Sequence, residues 1–150
     1  MSTRSMTIVK QGDLQSESII CMYRQCDGYL SGIGAELSEN FGDTKIISGI
    51  SNETPGKYAN GMGCLSAQIV EKMKNHDIGN VYLYPPKDNK DGEAYNYIIY
   101  TDPTENLIDL DEYGHKRPYT QLYVKVICYN KVLFQGLLRD LVDAKEEDEE

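Results

Sequence analysis

The chain has no tryptophan, only two phenylalanines and only two histidines in 150 residues. His76 and His115 are far apart, lack the spacing of a helical metal pair, and are joined by no C-x-x-C motif. A structural zinc site therefore has no ligand set, and no metal or other cofactor is expected. No apolar run approaches the roughly 18 residues that a membrane span needs. The opening "MSTRSMTIVK" lacks the apolar stretch of a secretory signal, so a cytoplasmic protein without membrane contact is expected. Cysteine is sparse and loosely spaced, at 21, 26, 64 and 128. In a reducing compartment such residues are free thiols. Cys21 and Cys128 fall in strand-like runs and Cys64 in a helix-like run, which predicts burial, whereas Cys26 sits in a polar loop. Basic residues are scattered, and the only adjacent pair is Lys116–Arg117, so nothing resembles a nucleic-acid footprint.

What is abundant is acid and tyrosine. Net charge is −9, with 24 acidic against 15 basic residues, and twelve tyrosines stand in the chain. The charge is uneven: Arg139 to Glu150 holds seven acids and two bases, hence −5. Residues 143–150 read as a disordered, solvated acidic tail, and residues 1–142 as a single domain. Tyrosine favours half-buried sheet, with an apolar ring and a wet hydroxyl.

Periodicity supplies the elements. Thr3 to Val9 alternates, and Ser18 to Arg24 is a second strand beyond the turn "QGDLQSE", which predicts an antiparallel hairpin. Such pairing brings Arg4 and Arg24 together at one sheet end. Ile33, Leu37 and Phe41 recur at helical spacing, with Gly42 as a stop. Asn60 offers an N-cap oxygen to a second helix whose stripe is Met62, Leu65, Ile69 and Met73. "NVYLYPP" and "AYNYIIYT" read as a strand and its return strand, Leu107 to Leu110 as a small extra strand, and "QLYVKVICYN" with "KVLFQG" as a last hairpin turning at Asn130–Lys131. "LLRDLVD" ends the domain as a short helix or fraying strand. The order ββααββββ predicts an α+β fold, a mainly antiparallel sheet with two helices packed on one face.

The densest chemistry lies in "YRQCDGYLSGIG", Tyr23 to Gly34. It lacks the G-x-G-x-x-G of a dinucleotide site and the Gly-Lys-Ser/Thr of a phosphate loop. A glycine-rich turn that opens a helix still presents amides and a positive dipole end to an anion. Gly28, Gly32 and Gly34 would equally serve backbone angles and close packing. Two arginines brought side by side need a shared anion, and Asp27 can neutralise one of them. The second glycine cluster, "ANGMGCL", also opens a helix. The expected ligand site is thus Arg4, Arg24, Asp27, Gly28, Tyr29, Gly32, Gly34, Asn60 and Gly61. Catalysis has weaker support: Cys26 and Asp27 have no histidine nearby in sequence, and His115 lies in a long loop.

The motifs T-R near the start, "YRQCDGYLSGIG", "ANGMGCLSAQIV" and "VYLYPP…YNYIIY" together resemble a family of small proteins of tailed phages, prophages and bacteria. The resemblance spans about Thr3 to Phe134 and implies a phage setting without an established activity. Leu30 stands where that family usually has proline, and Ile33 where a polar residue or histidine is common, so no catalytic histidine is implied there. Three functions are carried forward. The first is a non-enzymatic accessory protein that binds a small anionic, nucleotide-like ligand or a host protein, with counter-defence as the setting. The second is a small enzyme acting on nucleotides. The third is a structural or interaction module whose sheet edge makes a homodimer or higher homo-oligomer.

Overall fold

The computed structural model describes residues 3–49, 57–85, 95–111 and 113–144. Of the expected tail 143–150, residues 145–150 lie outside them, whereas Asp143 closes a 3-10 helix and the Ala144 amide donates to the Leu141 carbonyl. The central sheet holds β1 (Ser5–Lys10), β2 (Ser18–Arg24), β5 (Val81–Tyr84), β6 (Tyr95–Tyr100), β9 (Tyr123–Cys128) and β10 (Lys131–Leu137). Their order is β10-β9-β6-β1-β2-β5. Every pairing is antiparallel except β1 with β6. Helices α1 (Ala35–Phe41) and α2 (Gly61–Lys74) complete the α+β architecture, and a 3-10 helix, Leu138–Asp143, packs against α1.

Alternation decides what faces the helices. Val9, Met22, Tyr97, Ile99, Val124 and Val126 share one side of the pleat and join the helix residues Leu37, Leu65 and Ile69 in a single core. Each of these is essentially inaccessible, and truncating one such leucine to alanine typically costs about 2–5 kcal/mol. The stripe expected on α2 is the one that is buried: Met62, Leu65, Ile69 and Met73. The helix stops at Asn75, which takes a left-handed conformation at φ 43°. Gly63 lies on its exposed side, with nothing within 4 Å of where a Cβ would stand. Gly63→Ala should therefore raise stability by about 0.5–1 kcal/mol, read as a higher urea midpoint at unchanged slope.

The first hairpin is present, with Ile8 opposite Cys21. The return-strand reading of β5 and β6 is corrected: they sit on opposite sides of the β1–β2 pair. The reason lies in their composition. Tyr95, Tyr97 and Ile99 are all buried, which suits a strand paired on both sides, whereas β5 has four residues and runs into Pro85, which suits an edge. The last hairpin turns at Tyr129–Asn130, one residue earlier than expected, because both residues adopt positive φ (54° and 63°) as a two-residue hairpin loop requires.

A smaller layer was foreseen only at its strand Leu107–Leu110. β3 (Lys45–Ile47) pairs in parallel with β4 (Tyr58–Asn60), and β7 (Leu107–Leu110) pairs with β8 (Lys116–Tyr119). Ile46 and Thr120 exchange two backbone hydrogen bonds of 3.0 Å and tie the two ribbons together. No helix of the described residues is long and apolar enough to cross a membrane.

Candidate functional site

Arg24 ends β2, with its side chain on the helix side and only 10 % exposed. A buried guanidinium must be paired, and the partner is Glu36 in the first turn of α1. The contact is bidentate, both N···O distances being 2.8 Å. Nε also donates to the Cys26 carbonyl at 3.0 Å. The hydrogen bonds it donates to Glu36 hold the guanidinium above its ordinary range, against a smaller opposing effect of burial, and Asp27 adds only field. A helix start also favours the acid at that position.

This geometry revises the expected cluster. Ser5, not Arg4, stands opposite Arg24. Arg4 lies one residue earlier and so falls on the other side of the pleat, where it is exposed. The hairpin does bring the two residues to the same sheet end, but not to the same face. Asp27 is exposed, and its backbone turns through φ 60°. The two arginines therefore face opposite sides of the sheet, and the acid that serves Arg24 is Glu36.

The glycine loop is likewise occupied by the chain itself. Leu30–Gly34 forms a π-helical turn that runs directly into α1. The Gly32 amide donates to the Tyr29 carbonyl (2.9 Å), that of Ile33 to Asp27 (2.8 Å) and that of Gly34 to Tyr29 (3.3 Å). The amides expected to cradle an anion are thus spent. What the glycines supply is proximity. A Cβ on Gly28 would stand 2.6 Å from the Arg4 carbonyl oxygen, and one on Gly32 would stand on the Asp27 carbonyl. Gly34 packs under the Tyr97 ring. Tyr97, from the middle of β6, donates its hydroxyl to the buried Gly28 carbonyl at 2.8 Å. Tyr29 sets its ring edge-on to Tyr95, with centroids 5.9 Å apart. The Tyr23-to-Gly34 stretch is a strand-to-helix junction welded to β1 and β6.

At the second cluster, Asn60 does not cap α2. Its side-chain oxygen accepts from the Gly49 amide at 3.0 Å, so it holds the β3 loop instead. Gly61 takes φ +85°, which only glycine adopts without strain. It borders a groove of about 380 Å³ with Thr101, Glu105 and Tyr119. Glu105 makes that groove a poor host for an anion. A wider groove of about 870 Å³ runs beside α2, but there Glu39, Asp43 and Glu71 face Lys57, Lys72 and Lys74, so its charges cancel.

Sequence reasoning missed a polar cluster in the smaller layer. Asp109 receives Lys45 at 3.1 Å and lies 3.7 Å from Arg117, which stacks on Tyr58 at 5.0 Å. The Leu110 amide, then Lys45, holds the Asp109 carboxyl below the usual range. Residues 45, 58, 109 and 117 are too far apart in sequence for any local pattern to join them. One carboxylate serves both cations, so the cluster fastens the ribbons together. Nearby, Tyr123 donates to Glu105, and that bond first, then burial, pushes its hydroxyl up to about 12. A proton held more tightly in the folded state stabilises fully below pH 10, the ordinary value, and this contribution is lost as pH rises towards 12. In an ultraviolet titration Tyr123 should ionise late, near pH 12, and Tyr123→Phe should remove that step.

The cysteines form no disulfide: Cys21 and Cys128 are buried, Cys64 is partly covered and Cys26 is exposed. Burial pushes the Cys21 thiol up, which slows its reaction further. A maleimide probe should label Cys26 first and the other three fully only after unfolding. Among the described residues no three His, Cys, Asp or Glu side chains gather as a metal site.

The remaining feature is the other side of the sheet. Tyr23 stacks on Tyr84 (5.6 Å, 10°) and leans on Tyr82 (6.2 Å), and Tyr100 stacks on Tyr123. Between them lie Ile8, Ile98 and Ile127, all partly exposed, while Met6, Cys21 and Asn96 on the same side are buried. By alternation the strand positions of this face include Lys125 and no carboxylate, in a chain of net charge −9. Comparison of the chain with family models, with curated proteins and with solved structures finds no match.

Proposed function

We propose that this chain is a non-enzymatic binding protein and that its partner is a protein held on the tyrosine-rich face of the sheet opposite the helices. In the phage setting that the motif resemblance implies, the partner belongs to the host. One observation carries the reading: the face of the six-stranded sheet opposite the helices bears partly exposed tyrosines and isoleucines and no acidic strand position, in a strongly acidic chain. Interface cores favour aromatic side chains and exclude acid, and tyrosine offers large contact area at low entropic cost. A small anion at the glycine loop has lost its support, because the amides and Arg24 are already paired.

The test is native mass spectrometry of the protein isolated from cells that make it naturally. The expected mass exceeds a whole multiple of 17.0 kDa by that of a second protein. Lys125→Glu, which reverses the charge of the face without touching the core, should abolish that excess. A retained molecule of nucleotide size, unaffected by Lys125→Glu, would replace this reading with the small-ligand one.

A further inference from the structure

We infer that the β5 edge of the sheet docks a second copy of this chain, in a two-fold contact centred on Leu83. β5 is an edge strand, and after the buried Val81 its three residues are unusually bare: Tyr82 is 42 % exposed, Leu83 55 % and Tyr84 44 %. Ile78, just before it, is fully exposed. An edge of this kind is a template for another strand.

The backbone fixes where pairing can occur. The Gln25 amide donates to the Asn80 carbonyl at 2.9 Å, and Tyr23 and Cys21 stand opposite Tyr82 and Tyr84. Antiparallel ladders alternate, so Tyr82 and Tyr84 turn their polar groups towards β2, while Val81 and Leu83 turn theirs to the free edge. Val81 is already occupied: its amide donates to Gly79 (2.8 Å) and its carbonyl accepts Lys74 Nζ (2.9 Å). Pro85 has no amide to offer. Leu83 is left as the one residue of β5 able to exchange a pair of hydrogen bonds across that edge. A contact limited to one central residue suits a two-fold axis, on which Leu83 meets its own copy and Tyr82 meets Tyr84 of the other chain.

Charge identifies the occupant. In an isologous contact every group meets its own equivalent, so a charged edge would repel itself. Ile78 to Pro85 is eight residues without a charge, in a chain where 26 % of residues are charged and the net charge is −9. The area also suffices. The exposed parts of Ile78, Tyr82, Leu83 and Tyr84 come to roughly 500 Å² per copy, hence about 1,000 Å² for the pair, the lower bound of a specific interface. This contact does not depend on the partner reading above. It would set two tyrosine faces edge to edge as one surface.

Sedimentation velocity of the full chain should show a species of twice 17.0 kDa at micromolar concentration. Leu83→Lys should weaken dimerisation at least a hundredfold with an unchanged far-ultraviolet spectrum, since Leu83 is on the surface, and should melt where the wild-type chain melts when diluted to the monomer. Val132→Lys, on the opposite edge strand, should leave the dimer intact. A wild-type chain that stays monomeric at 100-fold higher concentration overturns the inference. So does a dimer that Leu83→Lys tolerates or that Val132→Lys dissolves.

Discussion

Gly32→Ala should lose about 3 kcal/mol or more of stability, which is roughly 10 °C of melting temperature for a domain of this size. The added methyl would stand on the Asp27 carbonyl, backbone against backbone, with the Asp27 side chain also within 3 Å. Neither can yield cheaply. The Asp27 carbonyl is fixed by the Ile33 amide, and Asp27 already sits at φ 60°. Relief therefore requires opening the turn from Asp27 to Gly34, which also unseats the Gly28 carbonyl from the Tyr97 hydroxyl. Tyr97→Phe should cost less, about 1–2 kcal/mol, because it leaves one buried carbonyl unsatisfied and moves no backbone. Thermal melts of the two variants order the effects. A Gly32→Ala chain with a wild-type melt would return the glycines to the ligand-binding role that their spacing first suggested.

The second large effect belongs to Arg24 and Glu36. Glu36→Ala strands a guanidinium that is 10 % exposed, and removal of one partner of a buried pair costs about 3–5 kcal/mol. Glu36 itself is 43 % exposed, so water can reach the vacated side and a smaller loss, about 2–3 kcal/mol, is expected. Arg24→Ala should cost a similar amount, since it also deletes the bond to the Cys26 carbonyl and the packing on Met73. The double variant should fall short of the sum by about 1–2 kcal/mol. Arg24 and Asp27, by contrast, make no direct contact of that kind, and their effects should add within about 0.5 kcal/mol. Denaturant titrations of the wild type and the five variants separate the two pairings: non-additivity at Asp27 rather than at Glu36 would mean that the acid serving Arg24 is the nearer one after all.

These two cases show which parts of the molecule can be read from its sequence. The stripe Met62–Leu65–Ile69–Met73 is legible because helical period repeats over four turns, and Leu122–Val124–Val126–Cys128 because alternation persists along a whole strand. The identity of Arg24's partner is not legible, because Glu36 reaches it only once α1 folds back under the sheet end. The glycine loop misled for a related reason. G-x-x-x-G-x-G has the composition of an anion cradle, but a turn that closes to the fifth residue consumes its own amides. β3 and β4 have three residues each, too few to display any period. The place of β5 at the edge was signalled only indirectly, by Pro85 and by three consecutive large residues that a buried strand would not have left bare.

The parallel pairing of β1 with β6 sets a schedule for folding. β1 can join β2 as soon as the first hairpin leaves the ribosome, yet its other side waits for residues that lie ninety positions later, from Ser5 to Tyr95. At about 5–20 residues per second that is roughly 5–20 s during synthesis. For that interval the strand at the centre of the finished sheet is an open edge carrying Met6, Ile8 and Val9, the arrangement most prone to pair with the wrong neighbour. Closing so distant a contact also makes refolding slow compared with a helical protein of equal length. The yield of folded protein should therefore fall as the expression rate rises, while the finished molecule, with β1 sealed on both sides, no longer carries that hazard.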